Sequence, residues 1–162
     1  MDYIVYISGM GYYGGPNQKY GDMWNATSRI LAKRLEYKEA EKIRDWLLDG
    51  GYEARVEKLK EYDKYTYFRH KKSGNIHLFY GCYHDVMKEY SFDDLKEYDP
   101  NPLSFEDLDA NALSELLSDI YENRNWHKSL YRVSILISSI QNNADEKTAA
   151  NILRQYILKL EE

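Results

Sequence analysis

Residues 37–58 read YKEAEKIRDWLLDGGYEARVEK, and their periodicity changes once, at a pair of glycines. Before the glycines, Ala40, Ile43 and Leu47 recur at helical spacing with Trp46 beside them, which predicts a helix from about Tyr37 to Asp49. Gly50-Gly51 ends it, because glycine takes the left-handed conformation that satisfies the last carbonyls. After the glycines the run alternates, with Tyr52, Ala54, Val56 and Lys58 on one side, the pattern of a strand. Upstream, Tyr3-Ile4-Val5-Tyr6-Ile7 is β-branched and aromatic and predicts another strand. Gly9 to Gly21 is Gly-rich and predicts a loop or turn. The first sixty residues thus read as strand, loop, helix, strand.

Two further regions follow. Tyr65–Lys72 and Asn75–Tyr80 flank Ser73-Gly74 and predict a hairpin. Its turn is either the two residues Ser73-Gly74 or the four residues Lys71 to Gly74, and the choice matters because a one-residue slip flips every side chain to the other face. From about Tyr83 the chain reads as helical, with a break at Pro100 and Pro102. Ser104 with Asp107 resembles a capping arrangement. Leu113, Leu116, Leu117, Ile120 and Tyr121 form one apolar stripe, and Trp126, Leu130, Val133, Ile137 and Ile140 another. Asn143 with Glu146 marks the start of a last helix, whose stripe is Ala149, Ile152, Leu153, Tyr156, Ile157 and Leu160. The expected architecture is α+β: a small antiparallel sheet with one N-terminal helix and a C-terminal three-helix bundle. The expected division is an α+β domain over residues 1–82 and a helical region over residues 83–162 that can pack with it as one unit.

Composition bounds the class. The 162 residues are 43% hydrophobic, enough for a core without a disulfide or metal staple. There are 17 Tyr against 4 Phe, and a tyrosine ring with its hydroxyl suits half-exposed contact surfaces. Cys82 is alone, the N-terminus is too polar for a signal peptide, and no apolar run approaches a membrane span. The expected location is the cytoplasm of a bacterial host cell.

Local motifs for catalysis are weak. Gly9-Met10-Gly11-Tyr12-Tyr13-Gly14 fits G-x-G-x-x-G after a strand, but Gly15-Pro16 follows instead of a helix, so no cofactor is expected. His70, His77, Cys82 and His84 are potential ligands whose spacing matches no standard zinc pattern, and no metal is expected. No G-x-S-x-G elbow occurs, and the reading is of a non-enzyme, with a small enzyme lacking a recognisable motif as an alternative.

Charge is the clearest signal. Residues 85–122 hold twelve acidic residues against Lys88 and Lys96, a net charge of −10. Such a patch draws in a cationic partner and repels phosphate. The candidate partner-binding residues are Asp93, Asp94, Glu97, Asp99, Glu106, Asp107 and Asp109, with Tyr90 and Tyr98 as aromatic anchors. An alternative nucleic-acid-binding set lies on the hairpin: Lys64, Tyr65, Tyr67, Arg69, Lys71 and Lys72, where rings could stack on bases and cations neutralise phosphates. The acidic balance of the whole chain, a net charge of −5, weighs against that set.

Tyr3-Ile4-Val5-Tyr6, Gly11-Tyr12-Tyr13-Gly14-Gly15, Ala32-Lys33-Arg34-Leu35 and Lys38-Glu39-Ala40-Glu41-Lys42 together resemble a small module of phage and mobile-element accessory proteins. The resemblance covers the N-terminal third and carries no catalytic residue. It implies an anti-defence role of the anti-CRISPR or anti-restriction kind. A non-enzymatic inhibitor would then hold a basic nucleic-acid-handling protein, such as a Cas effector, through carboxylates.

Overall fold

The structure is a computed structural model that describes residues 1–17, 19, 23–90, 92–124 and 127–161, without the side chains of Phe92, His127 and Lys128. Trp126, read above as part of an apolar stripe, lies outside the described residues. The fold is α+β and divides into two units, Met1–Lys60 and Glu61–Glu162. No helix among the described residues is long and apolar enough to cross a membrane.

In the first unit, β1 (Tyr3–Ile7), β2 (Gly11–Pro16), β3 (Trp24–Thr27) and β4 (Ala54–Lys58) form an antiparallel sheet of order β3-β2-β1-β4. Helix α1 (Tyr37–Asp49) packs on it. Alternation sends Val5 and Ile7 of β1 to the helix side, where they are buried with Tyr13, Leu35, Ala40 and Leu47. Ile4 goes to the opposite face with Ala32 and Leu59. The register pairs Val5 with Val56 and Ile7 with Ala54, so the apolar positions of β4 join the same face.

Within the Gly-rich segment, Gly11–Pro16 is a strand, not the loop expected. Gly9, at φ 75°, turns the chain out of β1, and Gly11, at φ 108°, lies so close to β3 that a Cβ there would sit 2.7 Å from the Thr27 carbonyl oxygen. The glycine spacing therefore serves tight strand pairing in conformations that side chains strain. The loop expectation failed because glycines also mark close backbone approaches within a sheet.

In the second unit, β5 (Tyr65–Arg69) and β6 (Ile76–Tyr80) form the hairpin. Arg69 pairs with Ile76, and the His70 N–H donates to the Asn75 carbonyl at 2.7 Å, so the loop is the four-residue form, Lys71 to Gly74. Tyr65, Tyr67 and Ile76 point into the same core as Leu113, Leu116, Leu117 and Ile120. Those leucines belong to α4 (Ala110–Asn123), which packs with α5 (His127–Asn143) and α6 (Glu146–Leu160) as a three-helix bundle. Because the hairpin shares this core, the division falls after Lys60, not after residue 82 as expected.

The helix starts also differ in detail. Asp107 does accept from the Ser104 hydroxyl at 2.7 Å, but this pair closes only a 3-10 turn over Phe105–Asp107. The long helix begins at Asp109, which accepts from the Ala112 N–H at 2.8 Å. The last helix is capped by Asp145, which accepts from the Thr148 N–H at 2.7 Å, while Asn143 still belongs to α5. Ile152 was expected in the buried stripe of α6 but is 43% exposed.

Leu116→Ala, at a fully buried position of α4, is expected to cost about 2–5 kcal/mol in urea denaturation. Ile152→Ala should change stability by no more than about 0.5 kcal/mol.

Candidate functional site

The acidic stretch is organised by the outer face of the hairpin. Residues on that face, Thr66, Phe68, His70, His77 and Phe79, alternate with those facing the bundle. They are covered by α2 (Tyr83–Glu89), whose Val86 is fully buried, and by residues that follow α3 (Phe92–Leu95). The main chain then runs antiparallel along β5: the Lys71 N–H donates to the Glu97 carbonyl, the Asp99 N–H to Arg69 and the Leu103 N–H to Tyr67, each at 2.8 Å.

Tyr98 lies at the centre of this covering layer. Its hydroxyl is hydrogen-bonded to His77 Nδ1 at 2.7 Å, and its ring meets His70 and His77 edge-on at 5.4 Å and 5.3 Å. Burial, with the Glu97 and Tyr90 charges behind it, pushes the Tyr98 hydroxyl above its usual range. Tyr90 packs edge-on against Phe79, at 5.1 Å. Both tyrosines are thus half-buried and in contact with the hairpin. An apolar sheet face had to be covered, and these were the nearest rings.

With the aromatics turned inward, most of the carboxylates are left outward. Asp93, Asp94, Glu97, Asp99, Glu106 and Asp107 are exposed, and Asp109 is half-buried. They do different work. Asp107 and Asp109 cap helical turns, and Asp99 accepts from the Asn101 N–H at 3.0 Å. Glu97 lies 3.5 Å from His70 Nε2. Asp93 and Glu106 form no ion pair with the described residues.

A second carboxylate group went unlisted in the sequence reading. Glu115, Asp119 and Glu122 recur at a spacing of four and then three along α4, which puts them on one side of the helix. That spacing was the available signal. Burial, then the Glu122 and Glu115 charges, hold the Asp119 carboxyl above the usual carboxylate range. A cleft of about 360 Å³ joins Glu115 and Asp109 to His77, Asn75, Asn111, Ser114 and Gln141. Thus the start of α4 and the hairpin contribute acid and amide groups to one hollow.

The alternative hairpin surface does not assemble. Tyr65 and Tyr67 are 7% and 3% exposed, and their hydroxyls are engaged internally: Asn123 donates to Tyr65, and Tyr67 donates to the Tyr62 carbonyl, each at 2.7 Å. Burial raises both phenols well above their usual range. Lys64 pairs with Glu61 at 3.2 Å, and Arg69 donates to the Gly74 carbonyl at 2.9 Å. Only Lys71 and Lys72 of that set are exposed without such a bond. Tyr65, Tyr67, Ile76 and Leu78 point to the bundle, and the opposite face, with Phe68 and Phe79, is covered.

The histidines and the cysteine part company. His70 and His77 share a face and stack at 5.7 Å, whereas Gly81, at φ 125°, redirects the chain so that Cys82 begins α2. Among the described residues no group of three His, Cys, Asp or Glu side chains is placed to hold a metal.

No protein-family model, curated protein or solved structure matches this chain.

Asp119 supplies a pH test of the crowded carboxylates. Its folded-state pKa is raised, so protonation favours the folded form: its stabilising contribution is complete below the unfolded value near 3.8 and is lost as pH rises through the folded value. Asp119→Asn should therefore raise the thermal midpoint at pH 7, and the gain should vanish below about pH 3.8 in a pH series of melting curves.

Proposed function

We propose that this chain is a non-enzymatic binding protein that recruits a basic, nucleic-acid-handling protein through the carboxylates of residues 85–122. The observation that carries this reading is the division of labour in that stretch. Tyr90 and Tyr98 pack on the hairpin, while Asp93, Glu106, Glu115 and Glu122 stand exposed without a lysine or arginine partner among the described residues. Carboxylates left in this state keep their field for a partner, and a field of one sign raises the rate of encounter with a cationic surface.

An inhibitor of a host defence nuclease is the role this chemistry fits. A Cas effector or restriction nuclease presents a cationic channel for nucleic acid, and carboxylates can occupy it in place of phosphates. The proposed binding set adds Glu115, Asp119 and Glu122 to the carboxylates read from the sequence. Asp99, Asp107 and Asp109 stabilise local turns as well as carrying charge.

The test is a fourfold charge reversal, Asp93→Lys, Glu106→Lys, Glu115→Lys and Glu122→Lys, which leaves those turn residues in place. Purified chain is assayed for association with purified Cas effectors and restriction nucleases, and for inhibition of their DNA cleavage. Wild-type association should weaken as salt rises, and the variant should associate about tenfold or more slowly. Equal association rates for the two proteins would remove the acidic surface from the binding mechanism.

A further inference from the structure

The first unit carries a hollow of about 310 Å³ lined by Trp24, Trp46, Leu47, Asp49, Gly50 and Tyr52. It is built by the way α1 ends. The Tyr52 N–H donates to the Leu47 carbonyl and the Gly51 N–H to the Leu48 carbonyl, both at 3.0 Å, with Gly51 at φ 89°. This paired closure folds the chain back and brings Tyr52 over the last turn of the helix. Trp24, from β3, meets the Tyr52 ring edge-on at 5.3 Å. Three aromatic side chains therefore converge at one helix C-terminus.

Two features are unusual for a surface that only closes a core. Trp46 is 49% exposed and Tyr52 40%, so large ring areas remain in water. Asp49 sits in the last helical turn, and that turn contains no basic residue. A helix C-terminus is the negative pole of its dipole, where a carboxylate is unfavourable and a cation is favoured. Asp49 has no ion-pair partner among the described residues.

Aromatic faces, a carboxylate and a helix C-terminus all attract the same kind of group. The geometry points to a binding site for an arginine side chain of a partner protein in the hollow of Trp24, Trp46, Tyr52 and Asp49. A guanidinium is flat enough to stack on an indole while donating to a carboxylate, which a compact ammonium does less well. The chain already uses this pairing within itself: the Arg55 guanidinium lies 4.3 Å from the Tyr6 ring centre and Arg29 lies 5.4 Å from that of Tyr12. This inference does not rest on the carboxylates of residues 85–122.

The experiment titrates the full chain with N-acetyl-arginine methylamide and follows the indole N–H signals of Trp24 and Trp46 by NMR. Capped citrulline, of the same shape without the charge, and tetramethylammonium are run beside it. Both indole signals should shift saturably with the arginine compound and not with citrulline. Asp49→Asn should weaken binding about fivefold or more, while raising the melting temperature, because it removes a carboxylate from the negative end of a helix. That opposite movement separates lost binding from lost folding. Trp46→Ala should abolish the shift at Trp24. Absence of a saturable shift, an equal response to citrulline, or full binding by Asp49→Asn would overturn the site. Tighter binding of tetramethylammonium than of arginine would overturn its assignment to a guanidinium.

Discussion

A two-stranded sheet with apolar residues on both faces must be covered twice, and this constraint organises residues 61–162. Tyr65, Thr66, Tyr67 and Phe68 are consecutive and all buried, although neighbouring residues of a strand point to opposite sides. One face is met by the helical bundle through Tyr65, Tyr67 and Ile76. The other is met by Val86, Tyr90 and Tyr98 from the acidic stretch. The covering segment is attached through its apolar and aromatic residues and through main-chain bonds along β5. Its carboxylates are then displayed outward as a consequence of packing, since desolvating a carboxylate against Phe68 and Phe79 would cost more than the burial of the rings returns.

How legible this was depended on whether the information was local. Residues 37–58 declared their helix and strand because the change of period and the glycine stop lie next to each other. The leucine stripe of α4 was equally plain. The four-residue hairpin loop was one of two registers that the sequence allowed, and only the pairing of Arg69 with Ile76 separates them. β3 was missed because Trp24–Thr27 is short and Asn25 and Ala26 at its centre disfavour strands; it exists as the partner of β2. The helix caps were misplaced by two to five residues because Ser104, Asp107 and Asp109, like Asn143 and Asp145, are all good caps, and the backbone decides among them.

The candidate surface was readable as a charge excess and unreadable as a geometry. Counting charges identified residues 85–122, and the structure keeps many of those carboxylates outside. Counting aromatics misassigned Tyr65 and Tyr67, because a ring in sequence does not reveal which face of a strand it occupies. At several tyrosines the hydroxyl reaches a neighbour, as Tyr98 reaches His77 and Tyr121 reaches Tyr156. A phenylalanine could fill the same space but would leave those polar groups without a partner.

Locally unfavourable choices concentrate at two places. On α4, Glu115, Asp119 and Glu122 occupy one side of the helix, and burial, then the Glu122 and Glu115 charges, raise the Asp119 carboxyl. On α1, Asp49 adds negative charge to the negative end of a helix that bears no basic residue in its last turn. Elsewhere the chain follows the rules: Glu57 is held by Arg29 and Arg55, and burial of its carboxyl is outweighed by their hydrogen bonds. Asp109 and Asp145 cap the positive ends of their helices. A sequence that places carboxylates well in these positions and poorly in the other two has given up stability where a cation would restore it. Departures of this kind gather at sites used for binding, and both here ask for the same sign of charge from outside the molecule.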